Sequence, residues 1–157
     1  MVPFTESIQQ YLAGTDSLRK AVAGMSREQL TAKPIPDKWS TLEVVAHIAD
    51  FEPILADRMK RIIALERPLL LVADENLFVH RLAYHDRDVE EELDLIAATR
   101  KQMARILNTV KPKEAVNRAG VHSLKGLVTL EAVLNSAMNH IPHHLTFIEE
   151  KRKALGI

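Results

Sequence analysis

The chain has 157 residues, of which 46% are apolar, a proportion typical of a globular protein with one hydrophobic core. Its 21 basic side chains balance its 21 acidic ones, which argues against binding to nucleic acid or to an anionic membrane by bulk charge. It contains no cysteine, so disulfides, thiolate metal sites and cysteine nucleophiles are excluded, and any metal needs nitrogen or oxygen ligands.

The first residues and the apolar runs of the sequence give no sign of a signal peptide or a membrane span. The stretch "MVPFTESIQQ" lacks the basic and apolar regions of a signal peptide. The longest apolar run, "PLLLVA", is far too short to cross a bilayer. We therefore expect a soluble cytoplasmic protein that forms a single domain over residues 1–157.

The first long helix is predicted from Phe4 to Met25, where apolar residues recur at heptad spacing. A short helix should follow, because Ser26 and Gln29 have the spacing of a capping box. The prolines of "KPIPDK" then break the chain.

The second long helix is predicted to begin at Ser40, which forms a capping box with Glu43. Pro53 lies inside its apolar stripe and predicts a kink. Trp39, just before the cap, is expected either to pack against the helix as a hydrophobic staple or to form a pocket wall. The long connection that follows predicts an extended piece and a short helix near residues 75–84.

The third and fourth long helices are predicted at residues 88–110 and 129–154. Asp88 is a suitable N-cap for the third, and Pro112 should stop it. "NRAGVHSLKG" is interpreted as a loop, because no strand pattern stands out. Gly156 suits the C-terminal end of the last helix. Four apolar stripes predict an all-α four-helix bundle, and the long connection between helices two and three allows neighbouring helices to run parallel.

Three histidines lie at the edges of these apolar stripes. His140 and His144 are one turn apart on the fourth helix, which places their Cβ atoms about 5–6 Å apart. His47 has the same edge position on the second helix. If the two edges face each other, the three imidazoles converge. Pro142 projects from the opposite side of its helix and is expected to bend the histidine face inward, although a local bulge would serve as well.

Three imidazoles with an open fourth position are typical of a catalytic zinc site, and nickel, iron or manganese fit the same nitrogen ligands. Asp50 is a candidate for a further ligand or for holding the ring of His47. His143 is expected at the rim. The remaining histidines are expected to be solvated or in loops; they are His80, His85 and His122. The alternative is an ordinary bundle that binds no metal.

Two stretches resemble the DinB-like superfamily of metal-binding bacterial four-helix bundles. They are "KWSTLEVVAHIAD" and "GLVTLEAVLNSAMNHIPHHLTFI". The resemblance covers nearly the whole chain and implies an up-down-down-up bundle, a homodimer, and a divalent metal held by His47, His140 and His144. Some members of the family are similar to transferases that use an external low-molecular-weight thiol.

Three functions follow as hypotheses. The first is a metal-dependent enzyme acting on a small-molecule substrate, preferably a thiol transferase with zinc or nickel. The second is a metal-dependent hydrolase, although the chain lacks the HExxH pattern of zinc proteases. The third is a non-catalytic bundle in which the metal links helices. In an enzyme, the candidate groups for proton transfer are His143, Asp50 and Glu43; Glu43 also has the cap as an alternative role.

Overall fold

The structure is a computed structural model that describes residues 3–157. Four long helices form its frame, and they are α1 (Phe4–Val22), α3 (Thr41–Ala64), α5 (Val89–Leu107) and α7 (Leu130–Leu155). Short helices lie between them: α2 (Arg27–Thr31), α4 (Glu75–Arg81), a 3-10 turn (Tyr84–Asp86) and α6 (Pro112–Asn117). Three short strands are β1 (Leu69–Leu70), β2 (Ala119–His122) and β3 (Gly126–Thr129).

The predicted helix starts are found where the capping residues stand. Ser26 and Ser40 both form complete capping boxes, with Gln29 and Glu43 respectively. The Asp88 carboxylate accepts hydrogen bonds from two backbone N–H groups of the first turn of α5. At the far end of the chain Gly156 has φ 75°, the left-handed conformation that closes α7.

Two predicted helix ends lie too far along the chain. The first helix ends at Val22, before the positive φ of Gly24, and not at Met25. The third ends at Leu107. Pro112 does not simply stop that helix but starts α6, where its fixed φ and missing N–H suit the first helical position.

Side-chain contacts at the helix ends fix the direction of α1 relative to two neighbours. Arg19, near the end of α1, pairs with Glu90 at the start of α5, with N···O 3.0 Å. These two helices are therefore antiparallel. Arg152, near the end of α7, donates to the carbonyl of Ala21 at the end of α1. Helices α1 and α7 therefore run parallel.

Helices α3 and α5 run parallel as well, because Lys60 near the end of α3 donates to Gln102 near the end of α5. Together with the two relations above, this contact makes the order of the long helices up, down, down, up. The predicted four-helix bundle with two parallel neighbours is confirmed. The connection from Leu65 to Asp88 makes this order possible, because it returns the chain to the end of the bundle where α1 ends and α3 begins.

A three-stranded sheet lies at the other end of the bundle, where α3 and α5 end and α7 begins. It corrects the prediction of a loop at residues 117–126. Strands β2 and β3 form an antiparallel hairpin, and β1 pairs with β2 in parallel. Gly126 has φ 71° where the turn enters β3. The sequence did not predict these short strands because their alternation of apolar and polar residues is weak. The residues buried on β2 are Gly120 and His122, and neither is a typical apolar strand residue.

The core runs the length of the bundle between the four long helices. Its fully buried members include Leu18, Ile48, Met59, Ile96, Met103 and Leu134. Each such side chain contributes about 1.5–3 kcal/mol by leaving water. Within residues 3–157, no helix is long and apolar enough to cross a membrane.

Candidate metal centre

The structure brings together the three histidines that the sequence proposes as metal ligands. The ring centroids of His47 and His140 are 5.1 Å apart, and each lies 4.8 Å from the ring of His144. One ring nitrogen of each residue lies within 4.8 Å of those of the others. The Nε2 atoms of His47 and His140 approach to 3.1 Å. Three nitrogen donors from α3 and α7 thus converge on one point.

The helices explain this convergence. His140 and His144 follow each other by one turn, so both side chains project from the same strip of α7. His47 projects from the first half of α3, which packs antiparallel against that part of α7. Pro142 is exposed on α7, and the helix continues through it. The predicted bend at this proline stays a prediction.

The donor set fits a divalent metal ion. Two nitrogens on a tetrahedral zinc lie about 3.3 Å apart, given bonds of 2.0–2.1 Å, and the observed Nε2···Nε2 separation is 3.1 Å. The Nδ1 atoms of all three rings are buried and have no hydrogen-bond partner among the described residues. The Nε2 atoms of His47 and His140 face each other, and imidazole nitrogens are common ligands of zinc and nickel.

Burial keeps the three imidazoles neutral. It lowers the pKa of His47 to about 4, from an ordinary value of 6.5. The pKa of His144 falls to about 3 and that of His140 to about 2, where burial acts together with the charges of the neighbouring histidines. A neutral imidazole has a free lone pair, so the site needs no proton release to take up a cation near pH 7.

Behind the histidines lies a buried ion pair that sequence reasoning missed. The Glu52 carboxylate on α3 accepts a hydrogen bond from Arg100 on α5, and both side chains are fully buried. The Tyr11 hydroxyl donates to the other carboxylate oxygen at 3.2 Å. Arg100 also donates to the carbonyls of Tyr11 and Ala137. Burial raises the pKa of Glu52, and Arg100 opposes that shift.

A glycine makes room for this ion pair. A Cβ at Gly14 would lie 2.6 Å from Nη1 of Arg100. Glycine costs about 0.5–1 kcal/mol relative to alanine inside a helix. Its position in α1 is therefore explained by the close approach of the buried guanidinium.

The three imidazoles open onto a cavity of about 470 Å³ at the surface. Trp39 forms one wall, with its ring centroid 5.2 Å from that of His47. Phe147 forms another wall. The rim carries both signs of charge, from Asp37, Lys38, Glu75, Glu150 and Lys151. The structure is consistent with both roles predicted for Trp39, because its ring lines the cavity and also packs against the core cluster that contains Val44 in the first turns of α3.

The two carboxylates predicted to transfer protons are held by partners. Glu43 accepts from the Ser40 N–H at 2.7 Å and from Lys33 Nζ at 2.9 Å. Burial alone would raise the pKa of Glu43, but these contacts outweigh it and lower that pKa. The Asp50 carboxylate accepts hydrogen bonds from both terminal nitrogens of Arg87, at 2.8 and 3.0 Å. This ion pair links α3 to the segment immediately before α5, because Arg87 lies two residues ahead of that helix.

The other four histidines differ in their surroundings. His143 is exposed and lines the cavity, with its ring centroid 5.1 Å from that of His144. His80 and His85 are exposed, as predicted. His122 corrects the prediction, because its side chain is buried at the end of β2 instead of solvated in a loop. The hairpin that buries it was the element missing from the sequence interpretation.

The fold and site together define a four-helix bundle with a three-histidine metal-binding geometry. The sequence profile of the DinB superfamily matches residues 10–148, and the chain therefore belongs to that superfamily. The family predicted from the two sequence motifs is thus confirmed.

Similar proteins come from two bacteria. A protein of Oceanobacillus iheyensis named "Putative metal-dependent hydrolase OB0782" is 27% identical over 138 residues, which cover 87% of this chain and 79% of that protein. "Putative metal-dependent hydrolase YfiT" of Bacillus subtilis is 26% identical over 140 residues, covering 88% and 78%.

The solved structure of the Bacillus subtilis protein has a similar fold. It is described as "a probable metal-dependent hydrolase with an unusual four-helix bundle topology". The two structures superpose with a TM-score of 0.90 at 25% identity, over 98% of this chain and 87% of that chain.

Proposed function

We propose that this protein is a divalent-metal-dependent hydrolase that acts on a small molecule bound in the cavity beside the histidines. One observation carries the proposal: the imidazoles of His47, His140 and His144, two buried and one partly buried, converge from two helices at the edge of an open cavity. Three protein ligands with an open position are typical of a catalytic site, whereas a structural zinc site has four. The names of the two bacterial relatives support the same class of reaction.

In this proposal the imidazole nitrogens of His47, His140 and His144 would hold zinc or nickel. Such an ion supplies Lewis-acid chemistry, which polarises a carbonyl or phosphoryl oxygen and lowers the pKa of water. The Glu52 carboxylate lies behind His140, with Oε1 4.0 Å from Nδ1 of that ring, and its negative charge favours a cation on the ring's other nitrogen. Trp39 and Phe147 enclose an apolar part of the substrate.

Proton transfer is assigned to His143. It is exposed at the cavity, whereas the carboxylates of Glu43 and Asp50 already accept hydrogen bonds from cationic side chains. A base must reach the substrate side of the site. On this proposal Glu43 caps α3 and Asp50 positions Arg87, and neither moves a proton.

A transferase that uses an external low-molecular-weight thiol is the second candidate. The chain has no cysteine, so any sulfur nucleophile must enter with a ligand. The cavity rim carries both lysines and carboxylates, which suit a thiol that bears carboxylate and amino groups. A homodimer is part of this proposal through the family resemblance alone.

The test is turnover by metal-loaded protein. Untagged protein, reconstituted with zinc or nickel, is assayed with a panel of esters, amides and phosphoesters, and with electrophiles plus added thiols. We expect hydrolysis that His47→Ala abolishes and the exposed control His80→Ala leaves unchanged. Turnover that needs an added thiol would favour the transferase. Stoichiometric metal with no turnover, together with unfolding on chelation, would favour a non-catalytic bundle.

A further inference from the structure

A second cavity of about 180 Å³ lies between α3, α7 and the β2–β3 hairpin. It is separate from the histidine cavity, and the two share no lining residue. Its polar lining comes from Arg58, His122, Lys125 and Ser136. None of the described residues that line it is acidic. The cavity therefore combines two cationic side chains with two neutral polar ones.

His122 lines this cavity, and the hydrogen bonds at its Nδ1 define which ring nitrogen carries the proton. Its Nδ1 accepts the backbone N–H groups of Leu124 and Lys125, at 3.2 and 3.3 Å. A neutral imidazole that accepts at Nδ1 carries its proton on Nε2. The residue is buried at the end of β2, so the hairpin turn holds the ring in place. Burial lowers the pKa of His122, and the charges of Arg58 and Lys125 lower it further.

Arg58 brings a positive charge that is only partly paired. One terminal nitrogen donates to the carbonyl of Leu71 at 2.7 Å, which anchors the side chain. Its Nε is buried and has no hydrogen-bond acceptor among residues 3–157. The nearest acid in the sequence, Asp57, forms its own ion pair with Arg61 at 2.6 Å. Burial lowers the pKa of Arg58 and Asp57 raises it, with burial the stronger effect.

We propose that this cavity is a binding site for a small oxyanion, either a phosphate group or a carboxylate. Arg58 and Lys125 supply the charge, and the Nε2–H of His122 and the Ser136 hydroxyl supply neutral donors. Arginine forms strong, directed hydrogen bonds to both classes of anion. The apolar floor, formed by Leu55 and Val133, reduces screening by water.

The size of the cavity suits this class of ligand. A water molecule occupies roughly 30 Å³ of liquid, so about 180 Å³ holds a phosphate or carboxylate group with a few waters. It is too small for most of a drug-sized ligand, which fills about 300–1,000 Å³. The anion is thus either free or the charged end of a larger molecule that extends through the opening.

The experiment is a titration of the full-length protein with inorganic phosphate, and separately with acetate, in a buffer without other oxyanions. Binding is measured by calorimetry, and the His122 Nε2 signal is followed by NMR. We expect saturable binding of one anion with a shift of that signal. Tighter binding of phosphate would identify a phosphate site, and tighter binding of acetate would identify a carboxylate site.

Variants locate the site. Lys125→Gln changes an exposed side chain and should weaken binding by roughly tenfold, as expected for the loss of one charge-assisted hydrogen bond. Arg58→Gln should weaken it at least as much. The matched control is Lys60→Gln, on the same helix and outside this cavity, which should leave binding unchanged.

The metal centre also attracts anions, so His140→Ala serves as a second control and should retain phosphate binding. Three results would overturn the proposal. The first is the absence of saturable binding for both anions. The second is equal binding by Lys125→Gln and wild type. The third is loss of binding in His140→Ala, which would assign the anion to the histidine cavity.

Discussion

Nδ1 of His140 lies 4.0 Å from Oε1 of Glu52, between the surface cavity and the middle of the bundle. The Glu52 side chain is 0% exposed and that of His140 is 15% exposed. The same carboxylate accepts hydrogen bonds from Arg100 and Tyr11. A ring at the proposed metal centre is therefore adjacent to the most buried ion pair of the core. Carboxylates behind metal-binding histidines orient the ring and raise its basicity.

We predict that Glu52→Gln weakens metal affinity by roughly 10–100-fold, because the neutral amide removes the negative charge that lies 4.0 Å behind the His140 ring. Competition with a chromogenic chelator measures that affinity. Glu149→Gln, an exposed position on α7, is the control and should bind metal like wild type. Equal affinities of Glu52→Gln and wild type would remove Glu52 from the centre.

The same carboxylate has a separate effect on stability. Glu52→Ala would leave the Arg100 guanidinium buried without its counter-charge, which costs about 3–5 kcal/mol of unfolding free energy. Urea denaturation of the metal-free protein measures this cost. A loss below about 1 kcal/mol would mean that solvent or another group compensates the charge.

Gly14→Ala is predicted to destabilise the protein, against the usual preference of helices for alanine. The new Cβ would meet Nη1 of Arg100 at 2.6 Å, and hydrogen bonds to Tyr11 and Glu52 restrict the guanidinium. Overpacking of this kind costs about 1–3 kcal/mol. Urea unfolding gives the sign. Stabilisation by about 0.5–1 kcal/mol, as in an unconstrained helix, would contradict the tight fit.

The histidine cluster could be predicted because helix geometry alone places two of its members on one face. Residues at i and i+4 share a face whatever packs against them, and His140 and His144 needed only a third imidazole from a facing helix. His47 supplies it from an equivalent edge position. The capping boxes of Ser26 and Ser40 are local in the same way, and the corresponding helix starts were predicted correctly.

The sequence contains a signal for the buried ion pair, namely a charged residue in a core position of two helices, but this signal was not used in the prediction. Arg100 fills the heptad position between Ile96 and Met103, and Glu52 fills the one between Ile48 and Leu55. A single charge in a core position looks like an interruption of the stripe. Two opposite charges in the stripes of two helices predict a pair, but only once those helices are known to be neighbours.

The hairpin was missed for a different reason. Its two strands are four residues long, and β2 also pairs with β1, about fifty residues earlier, a contact that is not encoded in local periodicity. The second cavity depends on this hairpin, because His122 and Lys125 reach it only from the folded turn. The proposed anion site therefore could not be predicted from the sequence.

The pH dependence of stability follows from the lowered pKa values of the three histidines. Each native-state pKa lies below the ordinary 6.5, at about 4 for His47, about 3 for His144 and about 2 for His140. Below pH 6.5 the unfolded chain therefore binds more protons than the native one. The contribution of each group is complete above that pH and is lost as the pH falls from there toward that group's native pKa.

We expect the unfolding free energy of the metal-free protein to fall by up to about 1.4 kcal/mol per pH unit for each such histidine. Urea unfolding between pH 7 and about 5 measures the slope. His144→Gln should reduce the slope, and His85→Ala, at an exposed position, should not. A stability that does not change over this range would mean that the imidazoles are already protonated or accessible to water.

Asp50→Asn separates a structural role from a role in proton transfer. The substitution removes the charge that holds both terminal nitrogens of Arg87. We expect a loss of about 1–3 kcal/mol in unfolding free energy, with turnover of the metal-loaded protein reduced by less than about threefold once it is folded. A large loss of turnover without loss of stability would instead support Asp50 as a proton carrier.

The central claim is that His47, His140 and His144 bind one divalent cation, and elemental analysis of untagged protein tests it most directly. We predict one equivalent of zinc or nickel per chain in the wild type. His47→Ala should lose it, and His80→Ala should retain it. A wild-type protein without stoichiometric metal after reconstitution, or a metal content that His47→Ala does not change, would contradict the account.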